Sequence, residues 1–173
     1  AIWTLHGLGL LSGEDDASTT VVLEALKHPA AGVRKAAIQA LPNTPENAQK
    51  IISSGMLTDK DLRVRLAAIL YLADSSPSPQ IGKAIFEAVQ QPENEKDKWL
   101  FHSLLIAGAV HQQAFVDEYQ NKLGNLDLSN VSGSLAERII LGNNMTVFSS
   151  GTSFSGVIPP NQVPDLSGQE IHF

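Results

Sequence analysis

Apolar and polar positions along the first 123 residues follow the three-to-four-residue spacing of amphipathic helices, and no stretch of them alternates with period two over a useful length. Cap and turn residues divide the pattern into short segments: Thr44 with Pro45 opens one helix, and Ser78 with Pro79 opens another. The pattern therefore predicts helices throughout this part of the chain. The predicted helices cover about 18–27, 31–41, 45–54, 61–73, 78–91, 92–110 and 112–123.

Successive helices repeat one another in sequence. Residues 57–72 match residues 26–41 at an offset of 31, with seven identities in sixteen positions and no gap. The shared core is Val-Arg-x-Ala-Ala-Ile-x-x-Leu. Weaker copies lie around Ile2, at an offset of 36, and around Trp99, at an offset of 35. Because 31 to 36 residues suffice for two short helices and two turns, the repeat predicts a stack of helical hairpins.

This repeat resembles HEAT repeats of the short bacterial type that is also found in the phycobilin-lyase-like group. The resemblance rests on the Val-Arg pairs at 33–34 and 64–65, on the Ala-Ala pairs that follow them, and on Asp59 in the turn between helices. It implies that the arginine of a second helix pairs with a turn aspartate of a neighbouring repeat. His28 holds the aspartate position of the first repeat and is expected to interrupt this ladder. The expected ladder residues are Arg34, Asp59 and Arg65.

A narrower resemblance concerns the context of the chain. Residues 3–9, 26–29 and 98–100 look like parts of the HEAT segment of large secreted bacterial proteins, which combine it with a sugar-dehydrogenase-like β-propeller and a c-type cytochrome domain. The resemblance implies a fragment of a multidomain protein that is periplasmic or secreted. It leaves open that the parent protein is an oxidoreductase, while the fragment itself is expected to be a non-catalytic spacer or docking surface.

The composition changes at Gly124. The last fifty residues hold six of the thirteen glycines, eight serines and a single basic residue, Arg138. We therefore divide the chain into a HEAT-like helical domain at 1–123 and a Gly/Ser/Asn/Pro-rich segment at 124–173, with one short helix predicted at 134–141. Part of this segment is expected to pack on the helices, and a linker to a missing domain is the alternative. The apolar residues behind that expectation are Phe148, Phe154, Val157 and Ile158.

Composition and charge exclude several classes of function. The chain of 173 residues carries a net charge of −6, and an acidic surface is a poor match for nucleic acid or anionic membrane. It has no cysteine, which rules out disulfides, thiol nucleophiles and cysteine-ligated metals in these residues. No apolar run approaches the roughly 18–20 residues of a membrane-spanning helix, so we expect no membrane insertion.

No motif for catalysis or metal binding emerges. The five histidines are scattered and form no H-x-x-x-H pair on one helix. The acidic loop at Asp15 and Asp16 lacks the alternating ligand spacing of a calcium site. The sequence therefore predicts no catalytic residue, no metal site and no cofactor.

The repeat register points to one surface. The position of Lys35 becomes Leu66 in the next copy, and the position of Gln39 becomes Leu70. Where polar residues of one copy are replaced by apolar residues at an edge position of the next, something is expected to pack over them. The candidates are the chain's own tail, a neighbouring domain and a separate protein. The tail is the simplest of these three candidates. If the third copy is rotated relative to the first two, the residues assigned to this surface in the third copy would be different ones. The predicted partner- or tail-binding residues are Lys35, Gln39, Leu66, Leu70, Phe101 and Leu105.

Taken together, these features predict an all-α, HEAT-like α-solenoid of about three and a half hairpins, with an irregular C-terminal segment packed on it. The function expected first is that of a non-catalytic scaffold or protein-interaction module, whose partners are neighbouring domains of the same chain or another protein. One alternative is a lyase-like HEAT enzyme that handles a chromophore or small molecule, an analogy at the level of fold alone. Nucleic-acid binding is the least favoured, because the basic residues are interleaved with acids.

Overall fold

The structure, a computed structural model, describes residues 2–11, 17–124 and 133–141. Within these ranges every regular element is helical, which confirms the all-α prediction. Short 3₁₀ turns at Ala25–Lys27 and Met56–Thr58 precede two of the helices. The helices are α1 Ile2–Gly7, α2 Ala17–Glu24, α3 Ala31–Ala40, α4 Pro45–Ser53, α5 Leu62–Ala73, α6 Pro79–Val89, α7 Pro92–Lys96, α8 Lys98–Val110, α9 Gln112–Leu123 and α10 at 135–141.

Side-chain caps set several of the helix starts. Thr44 Oγ1 accepts a hydrogen bond from the Asn47 amide at 3.2 Å, and Pro45 occupies the first position of α4, as the sequence predicts. Asp97 has an extended backbone and accepts from the amides of Trp99 and Leu100 at 2.9 and 3.0 Å. Asp97 therefore divides the long helix predicted at 92–110 into α7 and α8.

The helices pack in two series. The helices that carry the repeat contact one another in the order α1, α3, α5 and α8. In the second series α4 packs on α6, and α6 packs on α9. A single cluster of buried apolar residues extends through both series. Its largest fully buried side chains are Phe86, Phe115, Leu26, Ile38, Ile51, Ile69, Leu72, Ile85, Leu100, Leu104, Leu135 and Ile139.

The cap of α8 corrects the register of the third copy. Asp61 caps α5 by accepting from the Arg63 amide at 2.9 Å, and Asp97 does the same for α8, which places the two helices 36 residues apart. The offset of 35 expected from the sequence is therefore wrong by one residue, because α7 adds a residue before the cap. The buried positions agree, and the pairs are Val64 with Leu100, Ala67 with Ser103, Ala68 with Leu104, and Leu72 with Gly108.

Two glycines allow helices to approach closely. A Cβ atom on Gly82 of α6 would lie 2.4 Å from the Cβ of Ala114 in α9. A Cβ atom on Gly108 of α8 would lie 2.6 Å from Ile139 Cγ2 in α10. Since a side chain at either position would overlap its neighbour, glycine is required for both contacts.

Helix α10 brings part of the C-terminal segment into the core. Leu135 and Ile139 are almost completely buried, and Ile139 packs against α8 at Gly108. The helix predicted at 134–141 is thus present. The apolar positions at 148–158, which motivated the expectation of a packed tail, lie outside the described residues, and the boundary at 123/124 stays a prediction.

Candidate functional site

The arginine of α3 joins two consecutive repeat units. Arg34 Nε and Nη2 donate to Asp59 Oδ2 and Oδ1 at 2.6 and 2.7 Å, a bidentate ion pair in which both side chains are buried. Arg34 Nη1 also donates to the carbonyls of His28 and Pro29 at 2.8 and 3.0 Å. Burial by itself would raise the pKa of Asp59, but the hydrogen bonds from Arg34 and from the Asp61 amide lower it below its ordinary value.

The arginine of α5 makes the equivalent connection to a different partner. Arg65 Nε donates to the Asp59 carbonyl, and Arg65 Nη1 donates to Asn94 Oδ1 at 2.8 Å. Asn94 is fully buried, and its Nδ2 donates to the Ala88 carbonyl at 2.8 Å. The sequence analysis missed Asn94, although its place 35 residues after Asp59 was available as a signal.

His28 preserves the turn that Asp59 makes one repeat later. The amide of Ala30 donates to His28 Nδ1 at 3.0 Å, as the amide of Asp61 donates to Asp59 Oδ1 at 2.9 Å. The histidine therefore replaces the aspartate in holding the turn. The histidine at position 28 does not interrupt the contact of Arg34, because Arg34 pairs with Asp59 in the turn of the next repeat.

Phe101 and Leu105 do not occupy the edge position that the sequence analysis assigned to them. With the corrected register, Phe101 is equivalent to Arg65 and is partly buried. The guanidinium of Arg138 in α10 lies 4.8 Å from the centroid of its ring, within cation–π distance. Leu105 packs partly buried against the core. The third copy thus replaces the polar ladder contact with an aromatic residue and a cation.

The corrected register defines an exposed surface, here called the edge face. Trp3, Leu70 and Ile106 occupy the same repeat position on α1, α5 and α8, and their exposed fractions are 54%, 47% and 55%. Gln39 holds this position on α3 and is exposed. Trp99, 69% exposed, lies on the same side of α8 as Ile106, two turns before it. The edge face consists of Trp3, Lys35, Gln39, Arg63, Leu66, Leu70, Trp99, His102 and Ile106.

A groove of about 310 Å³ lies at one end of the edge face. Trp3, Lys35, Gln39 and Arg63 contribute to its walls. Arg63 Nη2 pairs with Asp61 Oδ2 at 2.8 Å, and this hydrogen-bonded pair lowers the pKa of Asp61 to about 2. The groove therefore combines the ring of Trp3 with Lys35 and the ion pair of Arg63 with Asp61, which suits a largely apolar ligand.

A second groove, of about 460 Å³, lies beside the N-terminal ends of α4 and α6. Ser75 Oγ donates to Asn43 Oδ1 at 2.8 Å, and Asn43 Nδ2 donates to the Tyr71 carbonyl at 3.2 Å. Tyr71 Oη donates to the Pro42 carbonyl, and burial raises the pKa of this phenol to about 12. The polar groups at this groove therefore hold the loops together.

A third groove, of about 450 Å³, separates α9 from α10. Ser134 and Glu137 form a capping box at the start of α10: the Ser134 amide donates to Glu137 Oε2 at 3.1 Å, and the Glu137 amide donates to Ser134 Oγ at 3.3 Å. Burial raises the pKa of Tyr119, and the adjacent Glu137, to which its hydroxyl is hydrogen-bonded, raises it further. This contact fastens α10 to α9.

The buried histidine has a structural role. His111 Nε2 donates to the Leu72 carbonyl at 2.8 Å, and His111 Nδ1 accepts from the Ser78 amide at 3.2 Å. The contact with Ser78 requires the neutral ring, because a protonated Nδ1 cannot accept a hydrogen bond, and burial lowers the pKa of His111. His111 therefore connects the end of α5, the start of α6 and the junction of α8 with α9.

Within residues 2–11, 17–124 and 133–141, no group of three or more acidic or histidine side chains is placed to hold a metal ion. In the same ranges no helix combines the length and the apolar character that a membrane span needs. Comparison of the chain with protein-family models, with curated proteins and with solved structures gave no match in any of the three.

Proposed function

We propose that this chain is a non-catalytic interaction module of the HEAT-repeat type, and that its edge face binds an extended protein segment. The observation that carries the proposal is the exposure of Trp3, Leu70 and Ile106 at one repeat-equivalent position on three helices. Leu70 and Ile106 lie on the neighbouring helices α5 and α8, and the exposed Gln39 of α3 separates them from Trp3. Exposed apolar residues that align across a stack in this way are typical of protein-binding sites. The arginine contacts between neighbouring repeats support the HEAT interpretation.

The energy available at the edge face favours a tethered partner. Fully burying a large apolar side chain gains about 1.5–3 kcal/mol. The large apolar side chains of the edge face are already partly covered, so the complete burial of each would gain only roughly 1 kcal/mol. These side chains are Trp3, Leu70, Trp99 and Ile106. Because association has its own entropic cost, this total suits a weak site whose partner is held nearby in the same polypeptide.

The charge of the edge face narrows the kind of partner. Lys35 lies among its apolar residues, and Arg63 is paired with Asp61, in a chain whose net charge is −6. An apolar segment that also carries acidic side chains fits this surface better than a basic one. A scaffold within a secreted or periplasmic bacterial protein, as the family resemblance implies, is the setting that we propose for this function.

The proposal can be tested by peptide selection against the full chain. A random peptide library is panned on the wild-type protein, and the affinity of the recovered peptides is measured by fluorescence polarisation. We expect apolar peptides with acidic residues, and we expect Leu70→Asp and Ile106→Asp each to weaken binding about tenfold or more, a loss of about 1.4 kcal/mol.

Val21→Asp is the matched control for these variants. Val21 is 56% exposed on α2, which does not contribute to the edge face, and its substitution should leave binding unchanged. Circular dichroism must show all three variants to be folded. Equal binding by the wild-type protein and both edge-face variants would refute the proposal.

A further inference from the structure

The sequence that follows α10 matches the edge face in position, length, composition and charge. Helix α10 packs against α8 through Ile139 and Gly108, and its Arg138 lies over the ring of Phe101. Since α8 also carries Trp99 and Ile106, α10 packs on the helix that forms one end of the edge face.

The length of chain after α10 is sufficient to cross the edge face. Neighbouring helices are spaced by about 8–10 Å, so the path from α8 to α1 spans roughly 30 Å, which about ten extended residues cover. Residues 142–173 provide 32. The remainder is available for the turn out of α10.

The composition of residues 142–173 suits an extended apolar ligand. Prolines at 159, 160 and 164 restrict their backbone to extended conformations, which reduces the entropy lost on binding. The segment contains Asp165 and Glu170 and no lysine or arginine. The segment therefore carries a net charge opposite to that of Lys35 on the edge face. Its large apolar side chains are Met145, Val147, Phe148, Phe154, Val157, Ile158, Val163, Leu166, Ile171 and Phe173.

We propose that residues 142–173 bind the edge face of the same molecule and occupy the docking site until a competing partner displaces them. This inference rests on the proposed function of the edge face and names its resident ligand. Tethering raises the effective concentration of the segment to the millimolar range, so a face that offers only a few kcal/mol is occupied. A partner that carries a similar acidic, apolar segment then binds by exchange.

The two tryptophans make this inference directly testable. The chain contains only Trp3 and Trp99, and both lie on the edge face, so acrylamide quenching of intrinsic fluorescence reports whether the face is covered. The experiment compares the full wild-type chain with a full-length Phe154→Ser/Ile158→Ser variant. Asn143→Ser/Asn144→Ser, in the same segment, is the control.

The expected result is stronger quenching and a red-shifted emission in the Phe154→Ser/Ile158→Ser variant, with the control equal to the wild type. Trp3→Phe and Trp99→Phe single-tryptophan versions assign the change to each end of the face. Identical strong quenching in all variants would overturn the inference, because the face is then free. Protection that depends on protein concentration would also overturn it, because a second copy then provides the cover. The proposed function is judged separately, by the effect of Leu70→Asp on peptide binding.

Discussion

Arg34 of α3 and Asp59 of the turn before α5 form a bidentate ion pair, with Nε–Oδ2 and Nη2–Oδ1 distances of 2.6 and 2.7 Å. The pair connects one repeat unit to the next, and both side chains are buried. Arg65 and Asn94 make the corresponding contact one unit later. These contacts fix the order in which α3, α5 and α8 stack, and this order places the edge-face residues side by side.

Removal of one ladder partner is expected to destabilise the fold. Arg34→Ala leaves Asp59 without its guanidinium, and Asp59→Ala leaves Arg34 without its carboxylate, in a site that is largely closed to water. Each substitution should lower the urea midpoint clearly. Arg63→Ala is the control, because the Arg63 side chain is 78% exposed and its pair with Asp61 contributes little. A change as small as that of Arg63→Ala would contradict the structural role of the ladder.

Asn94 is expected to be required at the end of the ladder. Asn94→Ala removes one hydrogen bond from the Arg65 guanidinium, which keeps its contact with the Asp59 carbonyl, and one from the Ala88 carbonyl, and each hydrogen bond contributes about 0.5–1.5 kcal/mol. Equilibrium urea unfolding measures the loss of stability. Gln90→Ala, at an exposed position nearby, should change the free energy of unfolding by less than about 0.5 kcal/mol. Equal stability of the two variants would argue against the buried contacts of Asn94.

Replacement of Gly82 by alanine is expected to destabilise the fold, whereas the same replacement at Gly32 is expected to stabilise it. Gly82→Ala forces α6 away from α9, and overpacking of this kind typically costs about 1–3 kcal/mol. Gly32→Ala adds a methyl group in open space on α3, and its better helix propensity should stabilise the protein by up to about 1 kcal/mol. Thermal unfolding of both variants checks the opposite signs. A stabilising Gly82→Ala would show that the α6–α9 contact is looser than described.

His111 is expected to make stability depend on pH. Burial lowers its pKa in the folded state, so the unfolded chain binds a proton more readily. Its contribution to stability is complete above the unfolded pKa of about 6.5 and is lost as the pH falls from there towards the folded pKa. Urea midpoints between about pH 5 and 8 measure this slope, which His111→Gln should flatten. Gln90→Ala, which removes no titratable group, should retain the wild-type slope.

The sequence predicts the local features of this fold better than its register. The all-helical pattern, the caps at Thr44 and Pro45, and the helix of the C-terminal segment depend on nearby residues and could be read directly. The extended backbone at Asp97 could not, because aspartate is also favoured in the first turn of a continuous helix. That single added residue before α8 displaced the predicted positions of Phe101 and Leu105.

The positions that make up the edge face could be predicted only in part for the same reason, and their role in binding stays a prediction. Lys35, Gln39, Leu66 and Leu70 come from the two copies that align without a gap, and all four belong to the edge face. Ile106 required the structure, because the third copy is too divergent for sequence alone to fix its register. Contacts between distant parts of the chain, such as Arg138 with Phe101, carry no signal in the repeat pattern.

Amide hydrogen exchange on the full-length Phe154→Ser/Ile158→Ser variant, whose edge face we expect to be uncovered, alone and saturated with a library-selected peptide, tests the docking role of the edge face most directly. The account predicts slower exchange in α5 and α8 on binding, with α4 and α6 unchanged, because the exposed positions at Leu70 and Ile106 lie on the first pair. Slower exchange confined to α4 and α6, around the polar groove at Asn43, would contradict it and would place the binding site on the opposite series of helices.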